Sequence, residues 1–312
     1  MISLIGSNKT TVTHFILRGI NGPRTLKIFF FIMFLTLYIM TLCGNLLITG
    51  SFLHSQQLGS PMYFFLSHLS LCDILLSASV VPKLLSALLK PGERMTIVGC
   101  IVQVFASGSF TGAECNLLTA MSYDRYLAIC NPLHYINIMN TRFCFQLVTW
   151  SWCLSLLYCL IIIAEMSGLE FCSCNIIDYI YCDVAPLLHI SCKDSTIIQI
   201  TTIVMSLPAV ISPFLFVIVT YVSIFITILR ISSNSGRKKA FSTCSSHLTV
   251  VCTYYGILIA KYTIPSKGRS LNMNKAISLL YTVVTPLINP IIYSFRNKEI
   301  RETVAKIIYM KR

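Results

Sequence analysis

A bundle of seven membrane-spanning helices followed by a short amphipathic C-terminal helix is the fold this sequence predicts; its class is all-α membrane protein. Three observations carry the prediction. Of 312 residues 55% are hydrophobic and 11% charged, with a mean hydropathy of +0.75. A soluble domain is about 25% charged, so this chain has no solvated surface to spend on water. Apolar stretches long enough to cross a bilayer, which takes roughly 20 helical residues, recur seven times. The remaining charges gather at the ends of those stretches, where Lys and Arg reach lipid headgroups.

Residues 1–25 form an N-terminal segment. It carries Asn8, Lys9, Thr10, Arg18, Pro23 and Arg24 and no long apolar core, so it is not a cleavable signal. The first apolar stretch, from about Ile28, must itself target the chain. Asn8-Lys9-Thr10 is a glycosylation sequon, meaningful only if this segment lies outside the cell. The spans fall at about 26–53, 61–88, 96–130, 142–165, 196–229, 238–262 and 272–295, one bundle over 26–295. Pro61, Pro82, Pro208, Pro213, Pro286 and Pro290 lie within or at the edges of spans and read as kinks, since neighbouring helices and water can satisfy the backbone groups they free. A long loop, about 166–195, joins spans four and five. Residues 296–312 read as an amphipathic helix and tail: Ile300, Val304, Ile307 and Ile308 share a face against Lys298, Arg301 and Lys306, a pattern suited to the membrane surface. No internal repeat or low-complexity stretch is visible.

Seven spans put the termini on opposite sides. With the N-terminus outside, twelve of the 24 Lys and Arg are cytoplasmic, an even split that gives no orientation. The cysteines give one. Cys172, Cys174, Cys182 and Cys192 crowd the long loop, and Cys100 starts span three on the same side. Disulfides persist on the oxidising side, which makes that loop extracellular. A zinc site with His189 competes, but no paired C-x2-C spacing supports it. The nine further cysteines on or near helices read as small core residues. The net charge of +13 could suggest nucleic acid, but its placement at span ends assigns it to membrane lipid.

Several motifs then fall in order. Gly44-Asn45 lies in span one, and Pro61-Met62-Tyr63-Phe64-Phe65-Leu66-Ser67 opens span two, which continues to Leu71-Cys72-Asp73. Met121-Ser122-Tyr123-Asp124-Arg125-Tyr126-Leu127-Ala128-Ile129-Cys130 ends span three, before Asn131-Pro132-Leu133-His134-Tyr135. Lys239-Ala240-Phe241-Ser242-Thr243-Cys244-Ser245-Ser246-His247-Leu248 opens span six, and Pro286-Leu287-Ile288-Asn289-Pro290-Ile291-Ile292-Tyr293-Ser294-Phe295-Arg296-Asn297 ends span seven. Over essentially the whole chain this resembles the odorant receptors, within the rhodopsin-like G-protein-coupled receptors. Two departures are small. Leu58-Gly59-Ser60-Pro61 stands where the family usually has Leu-His-x-Pro, and Ser122 where Ala is commoner.

The resemblance implies an extracellular N-terminus, location in the plasma membrane of olfactory neuron cilia, and disulfides Cys100–Cys182 and Cys172–Cys192, leaving Cys174 over. It implies an odorant ligand and a heterotrimeric G protein of the stimulatory olfactory type, acting through cAMP. It also gives a role to the adjacent charges Asp124 and Arg125. A charge at the bilayer centre costs roughly 2.5–3.5 kcal/mol and less near an interface. There Arg125 can pair locally at rest and be released as span six swings out. Tyr126, Tyr221, Lys239, His247, Asn289, Pro290 and Tyr293 belong to the same switch and coupling region.

Deeper in the bundle, Asp73 and Glu114, with Asn45 or Asn289, form a candidate site for a sodium ion or a proton; a neutral, hydrogen-bonded acid is the plainer reading. Glu114 shares a helix face with Ser107 and Thr111. The ligand site is placed in the outer half of the bundle. Span three offers Val104, Ser107, Gly108, Thr111 and Gly112; span six offers Tyr255, Leu258, Ile259 and Tyr262 at i, i+3, i+4 and i+7. Met205, Ser206 and Ala209 come from span five and Tyr281 from span seven. A mostly apolar set with a few hydroxyls suits a small, neutral, hydrophobic molecule. Lys261 could grip a carboxylate, but by helical phase it points more than about 90° away from the Tyr255–Tyr262 face, so it is expected to snorkel to the interface.

No G-x-x-x-x-G-K, H-E-x-x-H or G-x-S-x-G motif is present, so no enzyme is expected, and no cofactor beyond the sodium ion. Two rival readings remain: the same fold sensing a metabolite or steroid outside the nose, and an ion transporter or channel using Asp73 and Glu114. The second predicts inverted repeats, which are not seen.

Overall fold

A computed structural model describes residues 12–54, 59–90, 92–172, 175–263 and 271–296. The spans are α1 (Arg24–His54), α2 (Pro61–Leu89), α3 (Ile97–Cys130), α5 (Thr141–Met166), α7 (Thr196–Arg230), α8 (Asn234–Thr263) and a seventh made of α9 (Leu271–Leu279), a π-helical turn (Leu280–Val284) and α10 (Thr285–Arg296). Short helices α4 (Pro132–Ile138) and α6 (Val184–Ile190) sit between spans. Six spans are long and apolar enough to cross a membrane outright; α8 is the seventh when its parts Asn234–Ser242 and Cys244–Lys261, which meet at 41°, count as one. Asn8, Cys174 and the C-terminal amphipathic helix lie outside the described residues.

Local chemistry sets the helix starts. Pro61 and Pro132 occupy first-turn positions, where a missing N–H costs nothing. Thr96 caps α3 by accepting from the Gly99 amide at 3.0 Å, and Asn140 caps α5 by accepting from Phe143 at 2.9 Å. α2 is largely enclosed by the other spans, whereas α1 and α7 turn most of their apolar surface outward, with Ile32 59% and Val219 63% exposed. Outward apolar residues are what a lipid-facing surface requires.

Between helices in lipid, close approach replaces the hydrophobic effect as the organiser. A Cβ built on Gly44 would lie 3.0 Å from Pro290 of α10, and one on Gly108 2.9 Å from Cys159 Sγ of α5. One on Gly112 would lie 3.0 Å from Ser155 Oγ of α5. Gly108 and Gly112 are therefore where α3 meets α5, which corrects their assignment to the ligand site.

The prolines show how membrane helices keep their backbone satisfied. Pro290 cannot donate to the Pro286 carbonyl one turn back; Asn45 Nδ2 of α1 donates to it instead, at 3.0 Å. Pro213 likewise frees the Ala209 carbonyl, which accepts from Cys115 Sγ of α3 at 3.9 Å. Proline in one span is answered by a polar group on its neighbour.

One part of the fold was not expected. β1 (His14–Leu17) of the N-terminal segment pairs antiparallel with β2 (Glu93–Thr96), in register His14 to Thr96, and parallel with β3 (Ile176–Ile177). Phe15 and Leu17 are buried beneath it. Strands of two to four residues leave no readable alternation; only the helix ends bring their segments together. Both disulfides form, Cys100–Cys182 and Cys172–Cys192, with Cα atoms 5.4 and 6.0 Å apart. Of the nine further cysteines, Cys72, Cys115, Cys144, Cys159 and Cys244 are buried as expected, but Cys43, Cys153 and Cys252 are exposed, correcting the reading of all nine as core.

Candidate functional site

The polar side chains of the bundle fall into three groups along its axis. Nearest the disulfides, Thr111 is the hub. Its hydroxyl donates to the Ser107 carbonyl at 2.6 Å and accepts from the Tyr281 hydroxyl. Its carbonyl accepts from Tyr254 at 2.8 Å. The Tyr254 and Tyr281 rings meet edge to face, 6.3 Å apart. The π turn at Leu280–Val284 buries Tyr281, Thr282 and Val283 together, a backbone irregularity of the kind found at functional sites. Tyr255, also buried, shares a hydrogen bond with Cys115 Sγ at 3.2 Å and packs on Phe214. Val104 and Leu258 are buried in the same half.

Other candidates go elsewhere. Ile259 is 40% exposed on the outer face of α8. Ala209 is exposed, and Met205 and Ser206 are half-buried on α7, with Ser206 Oγ donating to its own helix at Ile203. The Tyr262 side chain lies outside the described residues. Lys261 overturns the snorkelling expectation. Its ammonium lies 3.0 Å from Asp183, donates to the Tyr181 hydroxyl at 3.4 Å, and stands 5.4 Å from the Tyr281 ring centroid. The phase argument took Tyr255 as the centre of the inward face. Tyr254 is buried beside it, so the inward arc of α8 is at least about 100° wide, and Lys261 stands two turns above Tyr254. Sequence reasoning missed Tyr254, Tyr181 and Asp183; the seven-residue spacing of Tyr254 and Lys261 was the available signal.

In the middle group Asp73 and Glu114 are both fully buried. Asn289 Nδ2 donates to both Asp73 oxygens, at 3.1 and 2.9 Å. The two carboxyls face each other, and among the described residues no donor satisfies either Glu114 oxygen. Asn289, rather than Asn45, is the amide on Asp73; the Asn45 amide nitrogen is spent on the Thr41 and Pro286 carbonyls.

At the far end, Arg125 Nη2 and Nε lie 2.7 and 3.0 Å from Asp124 Oδ2, with Asp124 fully buried. Tyr135 of α4 donates to the other Asp124 oxygen at 2.8 Å. Burial, then the Asp124 charge, pushes the Tyr135 phenol above its usual range, so it stays a donor. Tyr135 was quoted in a motif yet given no role; its reach depends on α4 folding back from Pro132. Tyr221 and His247 share a hydrogen bond at 2.6 Å. Tyr126 packs beside Ile224, Ile228 and Cys244, and Tyr293 is buried with no partner for its hydroxyl among the described residues. The Lys239 side chain lies outside the described residues. Between α7 and α8, next to Tyr221, an apolar cleft of about 350 Å³ is lined by Phe214, Val217, Phe225, Leu248 and Val251.

The comparisons agree with this arrangement. The family model described as "Olfactory receptor" matches residues 34–311. The chain is 41% identical to olfactory receptor 11A1 of Homo sapiens, over 99% of this chain and 98% of that one. It is 43% identical to olfactory receptor 5P53 of Mus musculus, over 96% of each chain, and 38% identical to olfactory receptor 1f45 of Rattus norvegicus, over 98% and 97%. With seven apolar spans, two disulfides at one end and the Asp124–Arg125 pair at the other, the chain belongs to the olfactory receptor family of G-protein-coupled receptors, multi-pass membrane proteins that are not enzymes.

Proposed function

We propose that this receptor binds small, mostly hydrophobic odorants in the half of the bundle nearest the disulfides and activates a stimulatory olfactory-type G protein, raising cAMP. The observation that carries the reading is the Thr111–Tyr254–Tyr281 hub, where hydroxyls from spans three, six and seven converge among apolar residues. A ligand that binds one arrangement of these spans better than another shifts the population toward it. In this reading the disulfide end is extracellular, which presents the Asn8 sequon for glycosylation, and the receptor works in the plasma membrane of olfactory cilia.

At the opposite, cytoplasmic end, Asp124 and Tyr135 hold Arg125 at rest, and Tyr221–His247 ties α7 to α8. Activation releases both as α8 moves, opening a surface for the G protein that includes Tyr126, Lys239 and Tyr293. Between the two ends, Asp73 and Glu114, with Asn45 or Asn289, are the residues that would hold a sodium ion or share a proton. The unsatisfied Glu114, Asn45 and Asn289 oxygens fit a hard cation, for which oxygen ligands are the match. A bound cation there would link the ligand half to the switch half.

The test is a cAMP response in cells supplied with the olfactory G protein, with a panel of volatile alcohols, aldehydes, esters, ketones and acids. Arg125→Ala, matched for surface expression, serves as the control. The expected result is a response in the wild type that Arg125→Ala abolishes; a response that survives Arg125→Ala sinks the switch role.

A further inference from the structure

The ammonium of Lys261 is the feature the neutral-ligand reading leaves unused. It sits at the top of the ligand half, with the Lys261 side chain 19% and the Asp183 side chain 22% exposed. Around it are Asp183 Oδ2 at 3.0 Å, the Tyr181 hydroxyl at 3.4 Å, and the Tyr281 and Tyr181 rings at 5.4 and 6.0 Å. An ammonium over tyrosine faces is held by the ring quadrupole as well as by its anion. Tyr181 is buried, next to Cys182, whose disulfide to Cys100 and backbone N–H donating to Gln103 Oε1 at 2.9 Å fix this segment over the bundle. Below, the Tyr281 ring leads from Lys261 to its own hydroxyl on Thr111. Tyr281 thus touches both, with the cation over its ring and the hub at its hydroxyl.

Asp183 is a replaceable partner. Its other oxygen, Oδ1, accepts from the Val184 amide at 2.9 Å and caps α6, so Asp183 keeps an anchor when it leaves the lysine, and its exposed side returns to water. Lys275 differs. It is 5% exposed and clasped by Asp178 at 2.6 Å and the Gly19 carbonyl at 2.9 Å, binding the N-terminal segment to α9.

We propose that Lys261 is a specificity-determining ligand contact that selects carboxylic acids, the ligand carboxylate exchanging with Asp183 on the ammonium while its alkyl chain lies along Tyr281 toward Thr111. The inference rests on the ligand site proposed above and names its ligand class. The exchange swaps one carboxylate for another on the same cation, and the displaced Asp183 carboxylate is left to the Val184 amide and to water on its exposed side.

The probes are straight-chain acids from hexanoic to decanoic, with the matching alcohols and methyl esters. They are assayed by cAMP in cells and by thermal protection of the purified full chain. Lys261→Met should lower acid potency about ten- to hundredfold, the worth of a charge-assisted hydrogen bond, and leave the alcohols unchanged. Lys261→Arg should retain the acids. Asp183→Asn removes the competitor and should raise acid potency. A structural clasp makes the opposite forecast, since Lys261→Met and Asp183→Asn would then depress acids and alcohols alike. That result, or no acid response and no thermal protection in the wild type, overturns the proposal. Thr111→Val tests the site separately: unchanged potency for every ligand removes the ligand site while leaving a Lys261 effect readable.

Discussion

Replacing Gly112 by alanine tests how spans three and four are held together. The added methyl would lie 3.0 Å from Ser155 Oγ, 3.1 Å from Ser155 Cβ and 3.6 Å from Ser155 Cα. Carbon contacts are optimal at about 3.5–4.0 Å, so α3 and α5 must part by about half an ångström or Ser155 must turn. Turning is constrained, because Ser155 Oγ donates to the Ser151 carbonyl at 2.6 Å. Overpacking of this kind costs about 1–3 kcal/mol. At roughly 2–4 °C per kcal/mol, the melting temperature of the purified receptor should fall by several degrees. Ser155→Gly in the same chain should restore much of it, since it deletes the atoms that clash, and a double-mutant cycle isolates that coupling. Agonist potency per folded receptor should not change, because Gly112 faces α5. An unchanged melting temperature, or a loss that Ser155→Gly does not relieve, refutes the close-approach argument; a selective loss of potency returns Gly112 to the ligand site.

Three further outcomes follow from the same geometry. Asn45→Leu bares the Pro286 carbonyl that Pro290 leaves unpaired and should cost about 1 kcal/mol; a melting temperature equal to wild type contradicts it. Tyr135→Phe removes one of the two holds on Asp124 and should raise ligand-independent cAMP, and a fall in basal signal at equal surface expression counts against the resting-lock role. Glu93 accepts from Lys83 at 2.8 Å, and that bond holds its carboxyl below the usual value of 4.5. A depressed acid stabilises above its unfolded value and loses that contribution as pH falls through the folded one. Wild type and Lys83→Met should therefore differ in melting temperature at pH 7 and converge below about pH 4; a gap independent of pH excludes the ion pair as its source.

The sequence by itself determined the class, the seven spans, the long loop and the family. These depend on composition, on runs of about 20 apolar residues and on short motifs, which are one-dimensional properties. Asp124–Arg125 was legible for the same reason, because the motif names its residues, whereas the choice of Asn289 over Asn45 as the amide on Asp73 was not. Only the tertiary structure decided which neighbours those residues acquire. Gly108 and Gly112 looked like pocket positions until the side chains of α5 filled the space beside them. Asn45 was read only as a cation ligand, whereas its amide nitrogen also answers the carbonyl that Pro290 leaves and its oxygen has no partner among the described residues. Lys261 looked like an interface lysine because helical phase locates a residue on its own helix. It carries no information on how wide the inward arc is, or on which loop returns over it. The loop segment through Tyr181 and Asp183, pinned by the Cys100–Cys182 disulfide, meets the lysine only in three dimensions, and that meeting turns a surface charge into a candidate ligand contact.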